Sequence, residues 1–253
     1  MIRRRLVSCL ALGIAWALSG APAQAAGPAA SAETPVPVDL LRAMSSTLAK
    51  LKAFSYHAEI EFDRLLPGGP KVRLAGAVDV AVTRPGSLYV DYRDDVSDRI
   101  VWFEKGRVTL LDPFAGTFAE VSGPKDIDGM VAKLEKDNGV TLPLGEFAES
   151  DVYKVLTRGI DHAFYIGVGN VEGIHCHHVL LHRKDLDIQV WIEIGEKPLP
   201  RKLVFEYPLR TGSPQFTASI TEWSFEPPKP ELFVPKIPEG VGKVEFLPLV
   251  GGR

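Results

Sequence analysis

Cysteine is almost missing from this chain: Cys9 and Cys176 are the two in 253 residues. Cys9 lies in an N-terminal segment that reads as one to be removed, so no internal disulfide is expected and a core has to hold the fold. A chain of this length buries roughly 70% of its unfolded surface, which is enough for such a core. Long apolar runs are missing too. The longest, Leu6 to Leu18, has 13 residues, short of the ~20 that cross a bilayer, so no transmembrane segment is expected in the mature chain. Neither Gly-x-Ser-x-Gly nor His-Glu-x-x-His occurs, which leaves no nucleophile elbow and no zinc-peptidase helix to propose. Gly167-Val168-Gly169 lacks the third glycine and the following helix of a phosphate loop and is read as a turn. Asp91, Asp94, Asp95 and Asp98 miss the spacing of a calcium loop and are read as a solvated one. No enzyme and no cofactor are expected on these grounds.

Positive charge is also in short supply, with 29 Lys and Arg against 32 Asp and Glu. Three of those arginines, Arg3, Arg4 and Arg5, precede the apolar run and the small-residue site Ala23-Gln24-Ala25, the three parts of a secretory signal over residues 1–25. Cleavage removes these three positive charges and no negative one, taking the formal net charge from -3 to -6 for a mature chain of 228 residues. A mildly acidic surface without a clustered basic face excludes nucleic acid as a partner. Residues 26–37, rich in Ala and Pro and nearly uncharged, read as a disordered leader. With no internal repeat and no linker beyond it, residues 38–253 are taken as one domain.

What is present in abundance is period-2 alternation. The stretch from Val72 to Pro113 sets the architecture: Val72, Leu74, Val78, Val80 and Val82 point one way, and Lys71, Arg73, Asp79 and Thr83 the other. Phe54, Tyr56, Ala58, Ile60 and Phe62 repeat the pattern ahead of the Pro67-Gly68-Gly69-Pro70 turn. Further strands are predicted at about 87–93, 99–104, 107–111, 117–121, 162–169, 174–183, 186–194, 200–207 and 214–224. Leu41, Met44, Leu48 and Leu51 form the apolar stripe of a helix from about Val38 to Ala53. Ile127, Met130, Val131 and Leu134 form a second stripe, stopped at Asn138-Gly139. A short third helix carries Val152, Val155 and Leu156 behind a Ser150-Asp151 cap. The proline-rich tail after Pro227 has Phe233, Ile237 and Phe246 to tack it down.

About eleven strands at ~4.8 Å make a sheet roughly 50 Å wide, whereas three helices of ~10 to 12 Å diameter cover at most about 35 Å of it. The sheet therefore has to curl. The expected fold is mainly β (α+β): a single curved antiparallel sheet forming an incomplete barrel, with helices covering the concave apolar face. A gap left under the helices would be an apolar cavity for a hydrophobic ligand. Its expected lining is Tyr56, Ile60, Phe62, Leu74, Val80, Leu88, Val90 and Trp102, with Arg84 at the rim.

The order helix, alternating strands, Arg84-Pro85-Gly86-Ser87-Leu88, then a strand pair around Gly106 ending in Leu111-Asp112-Pro113-Phe114, resembles the periplasmic lipoprotein carriers and their outer-membrane acceptor relatives, half-barrels with a helical lid. That resemblance implies a role for Arg84 in lid closure and cargo transfer. Over nearly all of the mature chain the sequence is also similar to a family of predicted periplasmic proteins of unknown function. The residues carrying this second match are Thr83-Arg84-Pro85, Val171-Glu172-Gly173-Ile174-His175-Cys176-His177-His178, Gln189-Val190-Trp191-Ile192, Pro198-Leu199-Pro200-Arg201-Lys202-Leu203 and Phe216-Thr217-Ala218. Together they imply a periplasmic binding protein for a lipid, a lipoprotein or other acylated protein, or another hydrophobic small molecule. An envelope sensor or structural protein that recognises a protein partner is the alternative, with a metal-binding protein or enzyme third. For metal chemistry there is one cluster, His175, Cys176, His177, His178 and His182. Strand alternation splits it into His175 and His177 on one face and the other three on the opposite face, so no metal site is expected.

Overall fold

The computed structural model describes residues 34–140, 142 and 144–246. The expected signal, its cleavage site and most of the leader lie outside the described residues. Helix α1 (Pro37–Lys50) is followed by β1 (Ala53–Leu65), β2 (Lys71–Thr83), β3 (Ser87–Asp94), β4 (Asp98–Glu104), β5 (Arg107–Asp112) and β6 (Thr117–Ser122). A helical interlude holds α2 (Ile127–Lys133), a π-helical turn Leu134–Asn138, a 3-10 turn Gly145–Phe147 and α3 (Val152–Leu156). Strands resume with β7 (His162–Val171), β8 (Ile174–Arg183), β9 (Leu186–Glu193), β10 (Pro200–Glu206) and β11 (Gln215–Ser224), and β12 (Gly242–Val244) comes last.

The strands form one sheet in the order β12-β6-β5-β4-β3-β2-β1-β11-β10-β9-β8-β7, with β12 and β7 as edges that do not pair with each other, so the curved barrel stays open. All neighbouring pairs but one are antiparallel. β12 is an addition to the expected strands and lies parallel to β6. Gly167-Val168-Gly169 is not a turn but the interior of β7. A bulge between Tyr165 and Gly167 and the space Gly169 leaves for Trp191, whose Nε1 would lie 3.1 Å from a Cβ there, account for the two glycines.

The register sorts the side chains into two faces. On the inner face Tyr56, Val80, Val90, Val101, Leu110 and Ala119 are lateral neighbours across six strands. Farther along β1 the same face continues the other way through Phe62, Phe216, Phe205, Ile188 and Leu181. Leu41, Met44 and Leu48 of α1 and Ile127, Met130 and Leu134 of the interlude bury themselves against this face in one continuous core. Buried Ser45 joins α1 to α3 by accepting a hydrogen bond from Tyr153 N at 3.0 Å.

The outer face carries a second row, Ala81, Tyr89, Trp102 and Thr109. Here the C-terminal segment packs: the turn Pro230–Phe233 lies against β3 and β4, and Phe233 is buried. Lys243 on β12 then pairs with Glu120 of β6 at 2.5 Å. Among the described residues no helix is long and apolar enough to cross a membrane.

Candidate functional site

The inner face is not sealed evenly. At the β9–β11 end, Ile188, Phe205 and Phe216 form the floor of a cavity of about 710 Å³, extended by Leu186 and Tyr207. Its roof comes from the helical interlude: Val131, Val140, Leu142 and Leu144 on one side, Val155 and Leu156 of α3 on the other. Gly139, at φ 64°, ends the π-helical turn in the left-handed region and turns the chain over the floor. Beyond it Val140, Leu142 and Leu144 precede the 3-10 turn Gly145–Phe147 and α3, and the cavity lies between these residues and the floor.

Six charged residues share this lining with the apolar ones. Glu135, Lys136 and Arg158 are exposed at the mouth. Arg183 lies 2.9 Å from Asp185 and donates to the Arg158 carbonyl. Glu146 and Glu149 sit deeper. Burial pushes the Glu146 carboxyl up to about 7, with its own backbone N–H opposing and Glu149 and Glu135 adding to the rise. Glu149 is also raised to about 7, by burial and then by Asp128, against Arg158. Oε2 of Glu146 is buried with no hydrogen-bond partner.

The roof segment is fastened from below by Arg84, at the end of β2. Its guanidinium donates to the carbonyls of Ala148 at 2.6 Å, Glu149 at 3.0 Å and Leu51 at 3.2 Å. Burial lowers its pKa and Asp128 counters that. The same turn holds the start of α2, whose Ile127 N donates to Pro85 O at 2.8 Å. Gly86 is required there because a Cβ would stand 2.5 Å from Lys125 O. Asp128 accepts from both Ser150 N and Ser150 Oγ, and Tyr56 donates its hydroxyl to Leu144 O at 2.8 Å. Motif and roof are thus one hydrogen-bonded unit, and Arg84 spends its donors on backbone carbonyls instead of standing at an open rim.

The residues expected to line a cavity are placed differently. Ile60, Val80, Leu88 and Val90 are buried in the packed core with Tyr56. Phe62 and Leu74 are partly buried neighbours at the far end of β1 and β2; Phe62 adjoins Phe216 of the cavity floor. Trp102 is on the outer face beside Tyr89, their ring centroids 6.1 Å apart. None of these lines the larger cavity. Tyr56 and Val80 instead border a smaller one of about 260 Å³, which also meets outer-face residues such as His57 and Tyr89. The histidines of β8 are engaged separately: His177 with Tyr165, His178 with Gln189 and the Trp191 ring, His182 with Asp187. Among the described residues no group of three or more His, Cys, Asp or Glu side chains could hold a metal ion.

These features define a class: an open, helix-lidded β-sheet with an apolar cavity under the lid. A family model described as a predicted periplasmic protein (DUF2092) matches residues 38–247, and the chain belongs to that family. No curated protein matches it. Solved structures similar to it include an uncharacterized conserved protein from Thermus thermophilus, at 8% identity over 82% of this chain and 97% of that one, TM-score 0.49. LprF from Mycobacterium bovis is 14% identical over 83% of this chain and 100% of its own, TM-score 0.43. A LolA superfamily protein from Nitrosomonas europaea is 8% identical over 79% of this chain and 98% of its own, TM-score 0.40. Likenesses this distant do not identify a ligand.

Proposed function

We propose that the mature chain, released by removal of residues 1–25, is a non-enzymatic periplasmic protein that binds a hydrophobic ligand, a lipid or acyl chain, in the cavity beneath the roof segment. The observation that carries this reading is the cavity itself. It is about 710 Å³, walled by Val, Leu, Ile, Phe and Tyr side chains from both the sheet and the lid, within the size range and polarity of small-molecule sites. Arg84 keeps the lid in place in this reading, and the packed row from Tyr56 to Val90 is the rigid wall behind it.

Native mass spectrometry of the mature protein from its own envelope, with organic extraction, tests the reading alongside uptake of the neutral fluorophore N-phenyl-1-naphthylamine. A stoichiometric hydrophobic ligand, or fluorophore uptake abolished by Ile188→Trp and by Val155→Trp, supports it. A clean apo mass together with no uptake overturns it.

A second reading, recognition of an envelope protein, is favoured by one feature. The edge strand β7 exposes Phe164, Ile166 and Val168 at 47%, 53% and 61%, and an unpaired apolar edge is a template for an added strand. Copurification of a protein lost on Ile166→Lys, with no bound lipid, would select this reading.

A further inference from the structure

We propose that the cavity takes a single-chain amphiphile with a positively charged, hydrogen-bond-donating head, of alkylammonium type, its head seated against Glu146 and Glu149 and its chain on the Phe205 and Phe216 floor. This deepens the binding reading above and rests on it.

Volume sets the chain number. One water takes about 30 Å³ of liquid and a methylene is of similar size, so about 710 Å³ has room for roughly 20 such groups. That accommodates one long chain with a small head.

Charge sets the head. Glu146 Oε2 is buried and without a partner, and once the carboxyl is ionised its oxygens only accept hydrogen bonds, so the group that pairs with the ionised form is a donor. Around it stand Glu135 and Glu149, like charges that an incoming cation relieves together. The cations of the lining do not fill this role. Lys136 and Arg158 are exposed at the mouth, where water screens them; Arg183, whose Nε makes no hydrogen bond, is held 2.9 Å from the Asp185 carboxylate and donates through Nη1 to the Arg158 carbonyl. Among the described residues no ion pair forms with Glu146 or Glu149. An anionic head would have to sit deep against these carboxyls or remain at the solvated mouth, where pairing is weak. The apolar floor cannot be the donor, and neither can the phenol of Tyr56, which is committed to Leu144 O.

A head that pairs with the ionised carboxyl must also displace the proton held there in the free protein, because burial raises Glu146 to about 7. Binding of an amine that stays protonated across this range therefore weakens on acidification. For one linked proton the loss between pH 7.5 and pH 5.5 is on the order of 20-fold. The other charged groups of the lining, Glu135, Lys136, Glu149, Arg158 and Arg183, modulate the slope, and Glu149 steepens it if it titrates with Glu146.

The experiment is isothermal titration of the mature protein with dodecylamine, dodecanol and dodecanoate below their aggregation limits, at pH 7.5 and pH 5.5, in the native chain and in Glu146→Gln. The expected result is dodecylamine at least tenfold tighter than the other two at pH 7.5, with a preference that falls on acidification. Glu146→Gln is expected to lower dodecylamine affinity about tenfold at pH 7.5, to flatten its pH dependence and to leave dodecanol binding in place, which also shows the variant to be folded. Dodecanoate or dodecanol binding as tightly as the amine at pH 7.5 overturns the head-group assignment while leaving the cavity a hydrophobic site. Failure of all three ligands, dodecanol included, overturns the binding reading itself.

Discussion

Replacing Arg84 with methionine removes the fastener between the sheet and the roof of the cavity while keeping much of the side chain's length and packing. The guanidinium donates to four carbonyls, those of Leu51, Phe147, Ala148 and Glu149, at 2.6 to 3.5 Å. A hydrogen bond from a charged donor contributes about 1.5 to 3 kcal/mol, and a buried carbonyl left unpaired costs about 1 to 3 kcal/mol. The bonds are not additive, and water reaches part of this half-buried site, so the net loss is set at about 3 kcal/mol. Arg84 also lies over the Phe54 ring, 5.6 Å from its centroid, an attraction of about 0.5 to 1 kcal/mol that methionine only partly replaces. At about 2 to 4 °C per kcal/mol for a domain of this size, thermal unfolding should show a fall in Tm of about 6 to 12 °C. Hydrogen exchange should show faster exchange concentrated between Leu144 and Val152. Arg84→Lys recovers less than half of the loss, since one ammonium cannot span carbonyls that the planar fork reaches together. A Tm within about 2 °C of the native value, or a fall in Tm with unchanged exchange across the roof segment, would refute the fastener.

Three further perturbations test neighbouring parts of the structure. Tyr56→Phe leaves Leu144 O without its 2.8 Å donor and should cost about 1 to 2 kcal/mol in denaturant unfolding. Glu146 is raised from 4.5 to about 7 by burial, so its effect on stability is fully favourable below pH 4.5 and fades as pH rises through 7. Glu146→Gln should therefore be more stable than the native chain at pH 8 by about 2 kcal/mol, a figure already discounted for water in the cavity. The two should converge at pH 4.5; a constant offset between pH 4.5 and 8 would contradict the raised carboxyl. Phe233→Ala opens the packing of the C-terminal segment at a residue only 4% exposed, costing about 3 kcal/mol, and should red-shift the emission of buried Trp102. Unchanged emission would remove Phe233 as the anchor of that segment.

The strands were legible because most of them have one buried face, which stamps period 2 onto the sequence. β12 could not be read in this way. Gly242–Val244 are all exposed, and backbone pairing to β6 alone makes them a strand. Trp102 was assigned to the wrong face by the same rule, for an opposite reason. Ile100-Val101-Trp102-Phe103 is apolar without interruption, the mark of a strand covered on both sides. The run signalled that something lies over the outer face, and the C-terminal segment is what lies there. The histidines followed alternation faithfully, since residues one apart on β8 part to opposite faces.

A cavity under the helices was expected, but its place was not legible, because inner-face position says which side chains meet the lid but not how closely the lid fits. Across β1 to β4 the lid presents Met130, Leu144 and Phe147, all fully buried, and the larger cavity does not extend there. Toward β9 to β11 the roof includes the stretch from Leu144 to Ser150, which has only the 3-10 turn Gly145–Phe147 and whose backbone polar groups need partners that a longer helix would have supplied internally. The chain meets that need with Arg84, Tyr56 and Asp128, all of them bonding to residues between Leu144 and Ser150. These bonds hold the segment at a fixed height instead of letting it collapse onto Phe205 and Phe216. The cavity is therefore a consequence of where the roof is tied, and the residues that define it are as much the ties on β1, β2 and α2 as the side chains that line it.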